Sequence, residues 1–121
     1  MVKSVLGATL STFQQACLDE LLSLAARQSA AVNRNELAGR RETYAVLDIT
    51  AFNGSSVRAW IYADECMLTT GGRSFYFEKP DFRTAADLRV AFIAAASDLI
   101  QGKEPPHSGS SRVNLFRGKP L

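Results

Sequence analysis

The feature that most constrains this chain is a change of hydrophobic period near Tyr44 and its reversal after Pro80. Upstream, Leu10, Phe13, Cys17, Leu21, Leu24 and Gln28 recur at helical spacing, with Leu18, Leu22 and Ala25 widening the stripe. A stripe of that width marks a helix with one face buried. Ser11-Thr12-Phe13-Gln14 precedes it in capping-box form, where a hydroxyl caps an amide three residues on and the glutamine reaches back. The spacing predicts a helix from about 11 to 31, and residues 33–43, polar and containing Gly39, read as a linking loop.

From Tyr44 the period is two. Ala45, Leu47 and Ile49 alternate with Tyr44, Val46 and Asp48, and Val57, Ala59 and Ile61 alternate with Arg58, Trp60 and Tyr62. Asn53-Gly54 and Gly71-Gly72 lie between alternating runs, and both are strong hairpin signals. The prediction is an antiparallel meander of about four strands at 44–52, 56–64, 66–70 and 74–78. Pro80 closes it, and a second stripe of Leu88, Phe92, Ala95 and Leu99 predicts a helix over about 82–101, stopped by Gly102 and Pro105-Pro106. The fold class is α+β, with both helices on one face of the sheet. Residues 1–104 read as a single domain, and 105–121 as an extended or flexible basic tail.

Strand register follows from matching faces, because a slip of one residue turns apolar side chains to the wrong side. A three-residue loop at Phe52-Asn53-Gly54, with Gly54 left-handed, pairs Ile49 with Val57, Leu47 with Ala59 and Asp48 with Arg58, whereas a two-residue loop mixes the two sets. A turn at Asp64-Glu65 is expected to pair Ile61 with Leu68 and Tyr62 with Met67. A Gly71-Gly72 turn pairs Leu68 with Phe75 and Met67 with Tyr76. One face then carries the aliphatic core set. The other carries a row of Tyr44, Tyr62, Met67 and Tyr76, a second row of Val46, Trp60, Thr69 and Ser74, and the Asp48–Arg58 pair.

Contiguous aromatic and methionine side chains with polar tips suit a recognition surface. Tyr44, Val46, Arg58, Trp60, Tyr62, Met67 and Tyr76 are therefore the expected partner-binding face, meeting a second copy of the chain or another protein. The same residues also serve simple cross-strand pairing, or a face covered by the tail through Val113, Leu115 and Phe116.

Catalytic, metal and cofactor chemistry finds little support. His107, the single histidine, lies in a Pro- and Gly-flanked stretch that gives an acid or base no rigid placement. Cys17 and Cys66 have no ligand-like spacing with it and read as buried reduced thiols. Gly71-Gly72-Arg73-Ser74 lacks the lysine and following helix of a phosphate loop. No catalytic residue, metal ligand or cofactor is nominated.

The net charge of +2 names no partner until it is divided by segment. Residues 1–26 carry −1, 27–41 carry +3, 42–102 carry −3 and 103–121 carry +3. Positive charge thus sits in the predicted loop and tail, where Arg40, Arg41, Arg112 and Arg117 are candidate anion or nucleic-acid contacts. Arms of this kind gripping phosphates while the sheet aromatics stack on bases make a nucleic-acid module the alternative reading. The helix–sheet–helix order is similar to that of double-stranded RNA-binding domains. Their second helix opens on a basic cluster, however, where this one opens Asp81-Phe82-Arg83-Thr84. The apolar run Val5 to Leu10 is too short and too broken for a secretory core, and no segment has the length of a membrane helix. A cytoplasmic, non-catalytic interaction protein is the expectation.

Overall fold

A computed structural model describes residues 10–35, 44–105 and 112–113. The elements follow one another as α1 (Thr12–Arg27), β1 (Ala31–Asn35), β2 (Ala45–Thr50), β3 (Ser56–Ile61), β4 (Cys66–Thr70), β5 (Arg73–Phe77), α2 (Ala85–Ile100) and β6 (Arg112–Val113). All strands are antiparallel and lie in sequence order, β1 to β6, across a single sheet. The class is α+β, as the change of period requires.

Helix α1 begins as its capping box dictates: the Ser11 hydroxyl accepts from the Gln14 amide at 3.1 Å, and the Ser11 amide donates to Gln14 Oε1 at 2.8 Å. It ends earlier than the spacing predicts. Ser29 takes a left-handed conformation, φ 56°, and the Ala30 amide donates to the Ala25 carbonyl at 2.8 Å. This is a glycine-type helix stop made without glycine, so no local signal announced it. The chain then enters β1, whose residues Ala31–Asn35 pair with Thr50–Val46. Part of the expected linking loop is therefore an edge strand. Residues 36–43 lie outside the described residues.

The hairpin β2–β3 has the expected three-residue loop. Ala51 donates to Ser55 at 2.8 Å, Gly54 has φ 94°, and Ile49 pairs with Val57. Gly71 and Gly72 both have positive φ, as a two-residue turn of the primed type needs, and Leu68 pairs with Phe75. The β3–β4 connection differs from expectation. Ile61 pairs with Cys66 and Trp60 with Met67, two residues away from the expected register. The turn residues are Ala63-Asp64, closed by the Tyr62 amide donating to the Glu65 carbonyl at 2.8 Å.

A shift of two leaves every side chain on its expected face, so hydrophobic alternation is blind to it. Tertiary bonds accompany the observed turn: Ser11 Oγ donates to the Ala63 carbonyl at 3.1 Å, and the Lys79 amide donates to Glu65 Oε2 at 2.9 Å.

After β5 a 3₁₀ turn at Lys79–Asp81, with Pro80 in it, leads to α2, capped by Thr84 Oγ1 accepting from the Asp87 amide at 3.0 Å. Gly102, φ 81°, stops α2, with the Lys103 amide returning to the Asp98 carbonyl at 2.7 Å. Both helices pack on one face, α1 against β1 and β3, α2 against β3, β4 and β5. The core between them and the sheet is built on Leu18, Leu21, Leu47, Ile61, Leu68, Phe77, Leu88 and Phe92, none more than 1% exposed. Burying each such side chain contributes on the order of 1.5–3 kcal/mol. Gln28 donates to Ser97 Oγ at 2.9 Å and Arg89 to Glu20 at 2.9 Å, joining the two helices.

The expected tail is not wholly separate from the sheet. Arg112 and Val113 pair with Tyr76 and Phe75 as β6. His107, Leu115, Phe116 and Arg117 lie outside the described residues, as do Arg40 and Arg41.

Candidate interaction face

The sheet face away from the helices is set by parity within each strand: what alternates with the core points outward. Register then places neighbours across strands. One row runs Val46, Trp60, Met67 and Tyr76, with Asn35 and Arg112 at the register positions that flank it, and the next runs Asn33, Asp48, Arg58, Thr69 and Ser74. Tyr44 and Tyr62 stand together beyond the first row, with ring centroids 5.2 Å apart. The expected row of Tyr44, Tyr62, Met67 and Tyr76 is thus redistributed by the two-residue shift in β3–β4. Met67 and Tyr76 now continue from Trp60 rather than from Tyr62, and Thr69 and Ser74 move to the row of Asp48 and Arg58.

The rings form a connected group. Tyr44 stacks on Trp60 with centroids 6.3 Å apart, and the Arg58 guanidinium lies 5.7 Å from the Trp60 centroid. Trp60 is pinned from its other side, its Nε1 donating to Thr69 Oγ1 at 3.2 Å. Arg58 is held by a two-pronged bond to Asp48, at 2.6 and 3.3 Å. That hydrogen bond raises the Arg58 pKa above its ordinary value, more than burial lowers it. The two-pronged bond orients the Arg58 guanidinium against the indole.

Of the seven residues expected on this face, Tyr44, Arg58, Trp60, Tyr62, Met67 and Tyr76 are all half-buried. Val46 is different. It shares the row, yet it is 1% exposed and stands outside the main core cluster, so it supports the face from within instead of lining its surface. Of the four arginines expected as anion contacts, Arg112 alone falls within the described residues, in β6 at the register position opposite Tyr76. The chain path therefore brings it to the end of the aromatic row.

A depression away from this face has no forecast in the sequence. A shallow depression of about 410 Å³ is lined by Gln28, Phe52, Asn53, Ile100 and Gln101, where the C-terminal ends of both helices meet the β2–β3 turn. Phe52 at the tip of that turn is 87% exposed. The signal was a large apolar residue beside Asn53-Gly54 in a turn, which register arithmetic treats only as spacing. Among the described residues its lining offers amides and apolar surface, with no acid or base.

Among the described residues no three His, Cys, Asp or Glu side chains stand together as a metal site. Among the same residues, no helix is long and apolar enough to cross a membrane.

Fold and site together define an α+β protein with one helix-covered sheet face and one aromatic face. No protein family, curated protein or solved structure matches the chain.

Proposed function

We propose that the protein is a non-catalytic interaction module that associates with a second copy of itself through the outer sheet face. The observation that carries this reading is the connected cluster of Tyr44, Trp60 and Tyr62 rings, continued by Met67 and Tyr76, on the face the helices leave uncovered. Such rings combine large apolar area with polar tips, the composition enriched in protein interfaces. Two copies meeting face to face bury the cluster around a two-fold axis, the commonest symmetry of small assemblies. The test is the solution mass of Trp60→Ser/Tyr62→Ser beside the parent chain. Loss of association, with circular dichroism and cooperative melting retained, supports the reading. Unchanged association removes this face as the interface.

A second reading has its own observation. Strand β6 sets Arg112 opposite Tyr76 at the end of the aromatic row, an arrangement suited to a single nucleic-acid strand with stacked bases and a gripped phosphate. It predicts binding of single-stranded oligonucleotides that weakens steeply with salt and with Arg112→Gln.

A further inference from the structure

We propose that Cys17 and Cys66 are a latent disulfide site, closed by a peroxide oxidant, through which α1 becomes covalently tied to β4. The two cysteines are free, and their sulfurs face each other across the core at 4.0 Å, one from the middle of α1 and one from the first residue of β4. They are 0% and 3% exposed, and a partnership between residues 49 positions apart is a product of the fold alone. A disulfide bond of about 2.05 Å requires the sulfurs to approach by only about 2 Å.

The chemistry is two successive displacements. One thiol, as thiolate, attacks a peroxide oxygen, the O–O bond breaks, and a sulfenic acid and one water result. The second thiol then attacks the sulfenic sulfur, forming the S–S bond and releasing a second water. Two thiols and one hydrogen peroxide give one disulfide and two waters, the sulfurs being oxidised and the peroxide oxygens reduced.

The closed fold restrains the first step. Burial, helped by the hydrogen bond shared with Cys17, pushes the Cys66 thiol far above its ordinary pKa. The peroxide must also reach sulfurs with almost no exposure. Oxidation therefore follows local opening of α1. That opening breaks contacts at the helix's two ends and middle: Gln14 Nε2 donating to the Ile61 carbonyl at 3.3 Å, Arg89 with Glu20, and Gln28 with Ser97. Once made, the bond closes a loop containing β1, β2 and β3, which restricts the unfolded chain. The site is independent of the outer-face reading, because both sulfurs lie among core residues.

The test treats the full-length reduced chain with hydrogen peroxide at low protein concentration, with and without mild urea, followed by intact mass and thiol counting under denaturing conditions. The expected product is a monomer that has lost two hydrogens and both thiols, forms faster in mild urea, and returns to the parent mass with dithiothreitol. Its thermal midpoint rises by roughly 10 °C, and neither Cys17→Ala nor Cys66→Ala yields it. Retention of both thiols, oxygen added without loss of two hydrogens, or disulfides formed only between chains would each overturn the proposal.

Discussion

Met67 and Leu68 are neighbours in β4 and belong to two different surfaces. Leu68 is 0% exposed, paired with Ala59 and Phe75 under the helices. Met67 is half-buried between Trp60 and Tyr76 on the face that the helices do not reach. The inner face is held by apolar packing that admits almost no change of volume. The outer face is held by oriented pairs: Tyr44 on Trp60, Arg58 on Asp48, and the indole N–H on Thr69. One sheet therefore has a side that the helices bury and a side that they do not contact.

The largest effect that tests this division is truncation on the two sides of one strand. Leu68→Ala should lose about 2–5 kcal/mol in chemical denaturation, whereas Met67→Ala should lose less than about 1 kcal/mol, in line with cross-strand pair energies. Equal losses would mean that the outer face is as tightly enclosed as the core. Next in size, Ser29→Gly should stabilise the monomer by about 0.5–1 kcal/mol, since glycine adopts the left-handed conformation of that residue without the side-chain penalty. The gain belongs to the helix-to-β1 junction and should leave association unchanged.

The smallest effect concerns the strap from the end of α2 to β5, where the Arg73 guanidinium grips the Glu104 carboxylate in two-pronged fashion. The hydrogen bond from Arg73 holds the Glu104 carboxyl below the usual glutamate range. A carboxyl whose pKa is lowered in the fold contributes its stability above the unfolded carboxylate pKa, near 4.3 for glutamate, and loses it as pH falls through the folded value. Carboxyl titration by NMR should give Glu104 a midpoint below that of the same residue in Arg73→Gln. Equal midpoints would mean that the strap does not form in solution.

Much of this division is legible in the sequence because a period of two assigns each strand residue to a side. The capping box at Ser11 and Gln14, the left-handed Gly54 and the paired glycines 71 and 72 carry their own local chemistry, and they fixed three junctions in advance. Where local chemistry is silent, the structure departs from the sequence expectation at particular residues. Ser29 stops α1 in a conformation usually marked by glycine, and Asn33 and Asn35 gave β1 the look of a loop. The β3–β4 register differs by two residues, a displacement that alternation tolerates, and its bonds to Ser11 and Lys79 come from distant elements. That same shift joined Trp60 to Met67 and Tyr76, so the membership of the outer face was readable while its pattern of neighbours was not. Val46 shows a further limit, since parity assigns a side but not an exposure.

The central claim, that the outer face is a self-association surface, is tested most directly by the mass of the parent chain across a concentration series at low and high salt. The expected result is a reversible dimer of about twice 13.2 kDa whose formation is insensitive to salt. A monomer at every concentration and both salts would contradict it.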